Sequence, residues 1–313
     1  MPFRIFPVRV VRVTPLSPSF VRVTLGGESL RDFADNGFDQ RFKLILPLPG
    51  RGVADLPTTA DWYAQWRALP TERQNPIRTY TVRAVRTPSA GTLEPGVRTD
   101  GRPHQAQPAE VDFDVALHGV TGPASKWAGE VQPGDELAVY GPDALYGGVH
   151  GGIDFHPPAV LGSVLLAGDE TAVPAIAGIL ERLPADAQGV ALLEVPVSGD
   201  RFPIAAPAGM QVTWLPRDGA AHGVRLIEAV RAAAERMLPV PVGAGASTLE
   251  DVDVDQQLLW EVPEAVPDGR YAWLAGEAGV IKTLRRALVT EYGLDRRSVA
   301  FMGYWRQGKA EGA

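Results

Sequence analysis

A short stretch of the chain, residues 75–83, carries side chains that can hold an aromatic, phosphate-bearing cofactor. Its sequence, NPIRTYTVR, alternates like a β-strand and presents three side chains on each face. One face carries Arg78, Tyr80 and Val82, and the other carries Thr79, Thr81 and Arg83. Arginine can pair with phosphate, while an aromatic ring or a hydroxyl group can contact a flat heterocycle. An ordinary half-exposed strand has the same alternation, so this pattern alone leaves both interpretations open.

A second candidate segment, residues 118–128, follows the next predicted strand and reads HGVTGPASKWA. The strand breaks at glycine, and we predict that a helix begins between Pro123 and Ser125. The exposed amides at the start of a helix favour phosphate. Ser125 can equally be a helix cap, Lys126 a solvated charge and Trp127 a core residue.

A third motif, GDETAVP at residues 168–174, follows the first strand of the second half of the chain. It lacks the Gly-x-Gly-x-x-Gly fingerprint of a dinucleotide site. Its two acids, Asp169 and Glu170, would repel a pyrophosphate placed directly on the following helix. Asp169 and Thr171 can instead cap that helix, so the chemistry of this turn stays open at this point.

A helix predicted over residues 277–292 carries a basic face. Its apolar positions are spaced for a core, and Arg285 and Arg286 follow Lys282 by three and four residues on the outer side. Such a face is commonly just solvated, but it can also attract an anionic ligand.

Composition excludes several kinds of chemistry. The 313 residues include no cysteine, which excludes disulfides, thiolate nucleophiles, iron–sulfur clusters and thiolate zinc sites. A net charge of -7 argues against general nucleic-acid or anionic-membrane binding. No run approaches the ~18 apolar residues of a spanning helix, and the alternating start MPFRIF lacks the unbroken apolar stretch of a secretory signal. We therefore expect a cytoplasmic protein without stable membrane association. We also expect it to be a monomer.

The elements that must position these motifs change character along the chain. Residues 1–150 show short strand-like runs separated by turns, which predicts an antiparallel barrel. Beyond it, strands and helices alternate, which predicts a parallel sheet over residues 158–313. The barrel strands are predicted at residues 3–13, 20–25, 42–46, 80–85, 111–118 and 136–140. The later strands are predicted at 160–167, 190–195, 211–215, 271–275 and 298–302, with helices at 173–183, 224–237 and 277–292. Segments 48–76, 87–108 and 239–267 are predicted as loops.

Read in order, these motifs resemble the siderophore-interacting protein family, the FAD-dependent ferric-siderophore reductases. The resemblance covers nearly the whole chain and also includes GD at 134–135, GP at 141–142, AGE at 275–277 and GYWRQG at 303–308. It implies a ferredoxin-reductase-like architecture. A Greek-key FAD-binding β-barrel, residues 1–150, is followed by an α/β domain of the NAD(P)H-binding type, residues 158–313.

The resemblance also assigns residues to the site. It implies that the 78–83 strand holds the flavin, that the 118–128 turn wraps the FAD phosphates, and that the 168–174 turn faces the flavin and the nicotinamide. The implied cofactor contacts are Arg78, Thr79, Tyr80, Thr81, Val82, Arg83, His118, Gly122, Ala124, Ser125, Asp169 and Thr171. The candidate contacts to an anionic ferric siderophore are Lys43, which matches a family lysine, and Lys282, Arg285 and Arg306.

The implied reaction passes electrons from NADPH or NADH through FAD to the ferric siderophore and releases ferrous iron. Reduction weakens the bonds between iron and its hard oxygen ligands, which releases the metal. Because FAD carries the electrons, we predict no catalytic acid or base and no metal site on the protein. Two alternatives stay open. A flavin reductase serving a protein partner would need a docking surface, and a siderophore-binding adaptor without turnover would bind no flavin.

Overall fold

The computed structural model describes residues 1–87, 108–117, 122–237, 259–264, 267 and 269–308. The chain divides into two compact units. The first contains Met1–Pro15, Val21–Asn36 and Arg41–Gly152, and the second contains Leu16–Phe20, Gly37–Gln40 and Ile153–Ala313. Two short segments from the N-terminal part of the sequence therefore belong to the second unit.

The described strands of the first unit close into an antiparallel barrel, as predicted. Their order around the barrel is β1-β2-β5-β4-β3-β6. In β1, Phe6, Val8 and Val10 are buried while the residues between them are more exposed, as expected for a strand with one face in a core. The strands are β1 (Phe3–Ser17), β2 (Phe20–Gly26), β3 (Arg41–Ile45), β4 (Ile77–Arg86), β5 (Glu110–Ala116) and β6 (Glu136–Pro142).

Segment 48–76 is more ordered than the predicted loop. It contains the helix α1 (Trp62–Ala68) and a short 3-10 turn at Thr71–Arg73. Trp62 packs with Ile45 and Ala138 in a small second core on the outer face of the barrel. This apolar packing stabilises a helix that is too short to form on its own. A second helix, α2 (Pro123–Glu130), begins where the sequence predicts, with proline in its first turn.

The second unit is built around a sheet whose described strands are parallel except for β10. Their order is β10-β12-β11-β7-β8-β9, and β10 pairs antiparallel with β12. The strands are β7 (Leu161–Gly168), β8 (Gln188–Val195), β9 (Gly209–Pro216), β10 (Trp260–Glu261), β11 (Gly269–Glu277) and β12 (Val299–Trp305). The helices are α3 (Val173–Arg182), α4 (Val224–Met237) and α5 (Ala278–Arg286), with a π-helical turn at Ala287–Glu291. Short 3-10 turns of this unit lie at Ser198–Asp200 and Arg296–Ser298, and another in the first unit lies at Glu28–Asp32.

The predicted parallel sheet is thus confirmed, and α4 has the predicted bounds. The predicted 277–292 helix is regular only to Arg286, and Glu277 is its cap. Apolar residues of α4 and α5, among them Leu226, Val230 and Ile281, share a core with one face of the sheet. Within the described residues, no helix combines the length and apolar character needed to cross a membrane.

Candidate functional site

In the first unit, the candidate cofactor strand is β4, and its register with β3 fixes which way its side chains face. Lys43 lies opposite Thr79 and donates a hydrogen bond from Nζ to the Thr79 Oγ1 at 2.6 Å. The neighbouring residue Tyr80 lies opposite the buried Phe42, and its ring packs 5.3 Å from that of Phe113. Thr79 and Tyr80 therefore serve opposite faces of the strand, and the structure brings Thr79 together with Lys43.

The two arginines of β4 have different surroundings. Arg78 is half-buried, and its Nη1 donates to the carbonyl of Ile77 at 2.8 Å. The side chain of Arg83 is buried, and its Nε lies 3.3 Å from the carboxylate of Asp114. The same carboxylate accepts two hydrogen bonds from Arg22, at 2.7 and 2.9 Å. Arg83 and Arg22 therefore share the carboxylate of Asp114, which lies on the face of β5 opposite the core residues Phe113 and Val115. Between the two arginines of β4, Thr81 and Val82 are buried.

The start of α2 has the properties of an anion site. Gly122 takes the cap position, so Ser125 lies inside the helix and the cap interpretation of Ser125 is wrong. No described side chain caps this helix, and its first amides, including those of the buried Ala124 and of Ser125, have no carbonyl acceptor one turn earlier in the helix. Such amides suit a phosphate. His118 lies outside the described residues.

Trp127 of α2 supports the presence of a bound group nearby. Its ring is nearly parallel to that of Phe113, at 11° and with centroids 6.4 Å apart, which makes it a packing residue. Its buried Nε1 has no hydrogen-bond partner among the described residues. An unpaired buried donor costs about 1–3 kcal/mol, so an acceptor at this point would be favoured. The uncapped helix and this donor fit a cofactor that carries phosphates and polar ring atoms.

In the second unit, the 168–174 turn lies at the point where the sheet order reverses. The chain runs from β7 to β8 and β9 on one side and returns to β11 and β12 on the other. In open parallel sheets, ligands bind outside the carboxyl ends of the strands at this reversal. The turn after β7 and the end of β11 form its two sides. The third motif of the sequence is thus placed where a nucleotide site is expected.

Asp169 connects the two sides of this reversal and is fully buried. Its Oδ1 accepts from the Thr171 amide at 2.9 Å and from the Thr171 hydroxyl at 2.5 Å. Its Oδ2 accepts from the amide of Glu277 at 2.7 Å and from the indole of Trp305 at 2.8 Å. Helix α3 starts after Ala172 without a side-chain cap, so the cap interpretation of Asp169 and Thr171 is wrong.

Two glycines make room for this carboxylate and its turn. Gly276 has φ +151°, and a Cβ there would lie 2.6 Å from the Asp169 Oδ2. A Cβ on Gly168 would lie 2.4 Å from the Ala172 Cβ and 2.6 Å from the carbonyl oxygen of Ala275. These approaches are closer than side chains tolerate, which explains the glycine in both motifs.

Further charged groups surround the turn, and sequence reasoning missed two of them, Arg217 and His222. Arg217 pairs with both carboxylate oxygens of Glu170, at 2.6 and 2.7 Å. Glu194, fully buried at the end of β8, accepts from the amides of Gly223 and Leu226 at 2.8 and 3.1 Å. Their positions in the sequence could have identified them, because Arg217 follows the predicted strand 211–215 and His222 precedes the next helix. Polar residues at the carboxyl edge of a parallel sheet are candidate site residues.

Burial perturbs the titration of this cluster. Burial, and then repulsion by the charge of Glu170, raise the pKa of Asp169. Burial disfavours a charged His222, but the neighbouring Glu170 and Asp169 outweigh it and raise the pKa of the imidazole. Titratable groups shifted by burial together with a named charge partner are common at functional sites.

The predicted basic contacts differ in their surroundings. Lys43 in the first unit is exposed, and Lys282 and Arg306 in the second are half-buried. Arg285 is buried and donates to both carboxylate oxygens of Glu261, at 2.8 and 3.0 Å. The basic face predicted for α5 therefore does not include Arg285, whose charge is matched by the edge strand β10.

Comparison with known proteins agrees with this arrangement. Residues 9–146 match the siderophore-interacting FAD-binding domain, and residues 161–308 match the siderophore-interacting protein domain. The ferric vibriobactin reductase ViuB of Vibrio cholerae is 30% identical over 99% of this chain and 93% of its own. The NADPH-dependent ferric-chelate reductase of Escherichia coli is 27% identical over 95% of this chain and 91% of its own.

Solved structures agree with both the architecture and the family. A siderophore utilization protein from T. fusca is 30% identical, has a TM-score of 0.67, and matches over 99% of this chain and 95% of its own. A ferredoxin reductase of carbazole 1,9a-dioxygenase shares the fold, with 16% identity, a TM-score of 0.56, and coverage of 97% of this chain and 70% of its own. With both units matched in order and the motifs placed as described, the chain belongs to the siderophore-interacting protein family.

Proposed function

We propose that the protein is an FAD-dependent reductase that transfers electrons from a nicotinamide nucleotide to a ferric siderophore. The observation that carries this proposal is the pairing of two sites in one chain. The barrel carries the uncapped start of α2, whose Trp127 stacks on Phe113 of β5, and the parallel sheet carries a buried turn at its reversal. Relatives named as a ferric vibriobactin reductase and a ferric-chelate reductase support the same reaction.

The barrel residues would hold FAD. Arg78 would pair with the diphosphate, and the amides of Ala124 and Ser125 would donate to its oxygens. Thr79, Tyr80, Thr81 and Val82 would border the ring, and Gly122 would let the backbone approach. We keep His118 in this set by family resemblance. Arg83 would act indirectly, through its pair with Asp114.

Bound FAD supplies the step between a two-electron hydride donor and a one-electron iron acceptor. The protein contributes orientation, so we assign no catalytic acid or base. The buried turn with Asp169 and Thr171 would orient the donor at the sheet reversal. Pairing of Glu170 with Arg217 reduces the repulsion that a phosphate would otherwise meet there. We place the reaction in the cytoplasm, where reduced nicotinamide nucleotides are available.

The ferric siderophore would be collected by basic side chains. We assign Lys43, Lys282 and Arg306 to this task, because an anionic chelate is attracted to positive charge at an exposed or half-buried position. We leave Arg285 out of the set, because it is buried and already donates to both carboxylate oxygens of Glu261.

An anaerobic spectroscopic titration tests the proposal. The purified protein, supplied with FAD if needed, should show flavin absorbance that bleaches when NADPH or NADH is added. Absorbance should recover on addition of a ferric siderophore, in step with the appearance of trapped ferrous iron. An Arg78→Ala variant should bind FAD more weakly than the wild type. A protein that binds the siderophore but neither carries nor takes up FAD would contradict the reductase and favour the adaptor.

A further inference from the structure

His222 is a mostly buried histidine that has no role in the proposed reaction as described above. It lies between β9 and α4, and its side chain is only 15% exposed. Neither ring nitrogen has a hydrogen-bond partner among the described residues. The Nε2 instead faces carboxylates, at 3.5 Å from the Asp169 Oδ2 and 3.6 Å from the Glu170 Oε2. A charged imidazole is favoured in such a place, whereas a neutral one gains little from it.

The charges around this ring come from each neighbouring element of the second unit. Among the described residues, the turn after β7 contributes Asp169 and Glu170, the end of β8 contributes Glu194 at 4.0 Å, and the residue after β9 is Arg217. The neutral ring of Trp305, from β12, meets the imidazole edge-on at 5.1 Å and 88°. Around the imidazole, the described residues therefore carry three carboxylates and one guanidinium. A proton on His222 reduces the net negative charge of this group.

We propose that His222 is a positioning residue for the donor turn, and that its proton strengthens binding of the nicotinamide nucleotide. The link to the nucleotide rests on the proposed function, which places the donor at the reversal of the sheet. His222 acts through Asp169, whose carboxylate also fixes the Thr171 hydroxyl and the indole of Trp305. The imidazolium offsets the charges that the donor's phosphates would otherwise meet, so its loss increases repulsion.

This geometry determines how binding of the nicotinamide nucleotide should change with pH. The carboxylates hold the proton on His222 above the pH at which an ordinary imidazole loses it, because they outweigh the effect of burial and raise its pKa. Below the raised pKa the ring is charged and the turn is partly neutralised. Above it, the ring is neutral and the acidic cluster is left with more net negative charge. The KM for the nucleotide is therefore expected to rise with pH through this transition.

Two measurements on the flavin-loaded protein test the proposal, with a His222→Gln variant. Imidazole NMR signals, followed from about pH 5 to about pH 9, report the charge of His222 directly. Steady-state kinetics with NADPH and NADH over the same range, with a ferric siderophore as acceptor, report KM and kcat. The matched control is His156→Gln, because His156 is an exposed histidine of the same unit. Thermal unfolding of both variants verifies that they are folded.

We expect one imidazole to titrate above the usual range in the wild type and in His156→Gln, and its signal to be missing in His222→Gln. KM should rise about fivefold across this titration where His222 is present, while kcat changes less. In His222→Gln the KM should stay near the high value at every pH. A His222 signal that titrates at or below the ordinary value would overturn the charge assignment.

The charge of His222 and its link to the donor are tested separately. If His222 titrates as expected but the KM profiles of the wild type and His222→Gln coincide, its link to the donor is wrong. If no nucleotide bleaches the flavin at any pH, the proposed function fails, and the NMR titration still decides whether the cluster holds a proton. If His222→Gln fails to fold while His156→Gln folds, the test uses the variant His222→Asn and the pH dependence of KM in the wild type. A wild-type KM that does not change across the titration would then reject the proposal.

Discussion

The carboxylate of Asp169 accepts the indole N–H of Trp305 at 2.8 Å, which joins the turn after β7 to the last described strand of the sheet. The same oxygen accepts the amide of Glu277 at the end of β11. One buried side chain thus connects three neighbouring strands at the edge where we place the donor.

Replacing Asp169 with asparagine should destabilise the second unit. The new amide can accept from Thr171 with its oxygen, but its NH2 group then faces the Glu277 amide and the Trp305 indole, which are both donors. We expect the free energy of unfolding to fall by about 2–4 kcal/mol, measured by urea denaturation. Asp186→Asn, at an exposed position, is the control and should change it by less than about 0.5 kcal/mol. Equal stability of both variants would show that the connection contributes little.

Gly276→Ala should be poorly tolerated for a steric reason. The backbone at φ +151° disfavours an L side chain, and its Cβ would meet the Asp169 carboxylate. We expect a loss of more than about 2 kcal/mol in unfolding free energy. Gly129→Ala in α2, where a Cβ meets nothing within 4 Å, should be neutral or stabilising by about 0.5–1 kcal/mol. If the two variants unfold at the same denaturant concentration, the close approach at Gly276 does not determine the stability of the protein.

Asp39 should make the stability of the protein depend on pH. Burial, and then the charge of Asp154, raise the pKa of Asp39 to about 6, although its carboxylate accepts from the amides of Asp154 and Phe155. In the unfolded chain the pKa of this group is near 3.8. The protonated carboxyl therefore stabilises the folded state fully below about that pH, and this stabilisation is lost as the pH rises to about 6.

An Asp39→Asn variant isolates this effect, because its side chain does not titrate. The stability of the wild type, minus that of the variant, should fall by about 3 kcal/mol between about pH 4 and about pH 7 and then level off. Urea denaturation at a series of pH values measures the difference. A constant difference over this range would show that Asp39 ionises normally in the folded protein.

Lys43 should affect the acceptor and leave the donor unaffected. Replacing it with alanine removes a positive charge next to the candidate flavin strand, so the KM for an anionic ferric chelate should rise about five- to tenfold. The KM for NADPH should stay the same. Lys43→Arg keeps the charge and should recover most of the affinity, whereas unchanged kinetics in Lys43→Ala would remove this residue from the binding site.

The fold could be predicted well from the sequence because its elements have strong periodic patterns. Helix α4 has the predicted bounds, since its apolar residues repeat over fourteen positions and pack on the sheet. The helix α1 was missed because seven residues are too few to show a period, and its stability comes from packing on the outer face of the barrel. Short elements that depend on distant partners leave little trace in their own sequence.

The candidate site could be predicted only in part. The family resemblance assigned Asp169 to the site, but the carboxylate's partners at Glu277 and Trp305 come from strands more than a hundred residues away. Helical spacing also placed Arg285 on the outer basic face, whereas Glu261 of the two-residue strand β10 holds it in a buried pair. A helix pattern reports which positions lie together, but it does not report which acid reaches them.

The placement of Leu16–Phe20 and Gly37–Gln40 in the second unit limits how the chain can be divided. Asp200 accepts from the Ser17 hydroxyl and the Ser19 amide, both at 2.8 Å, across more than 180 positions of sequence. A gene fragment that begins at residue 153 would encode this buried carboxylate without those donors, and Asp154 without Asp39. The second unit is therefore expected to fold poorly when expressed by itself. Exchange of modules between relatives would have to transfer the N-terminal segments as well, which a single recombination joint does not do.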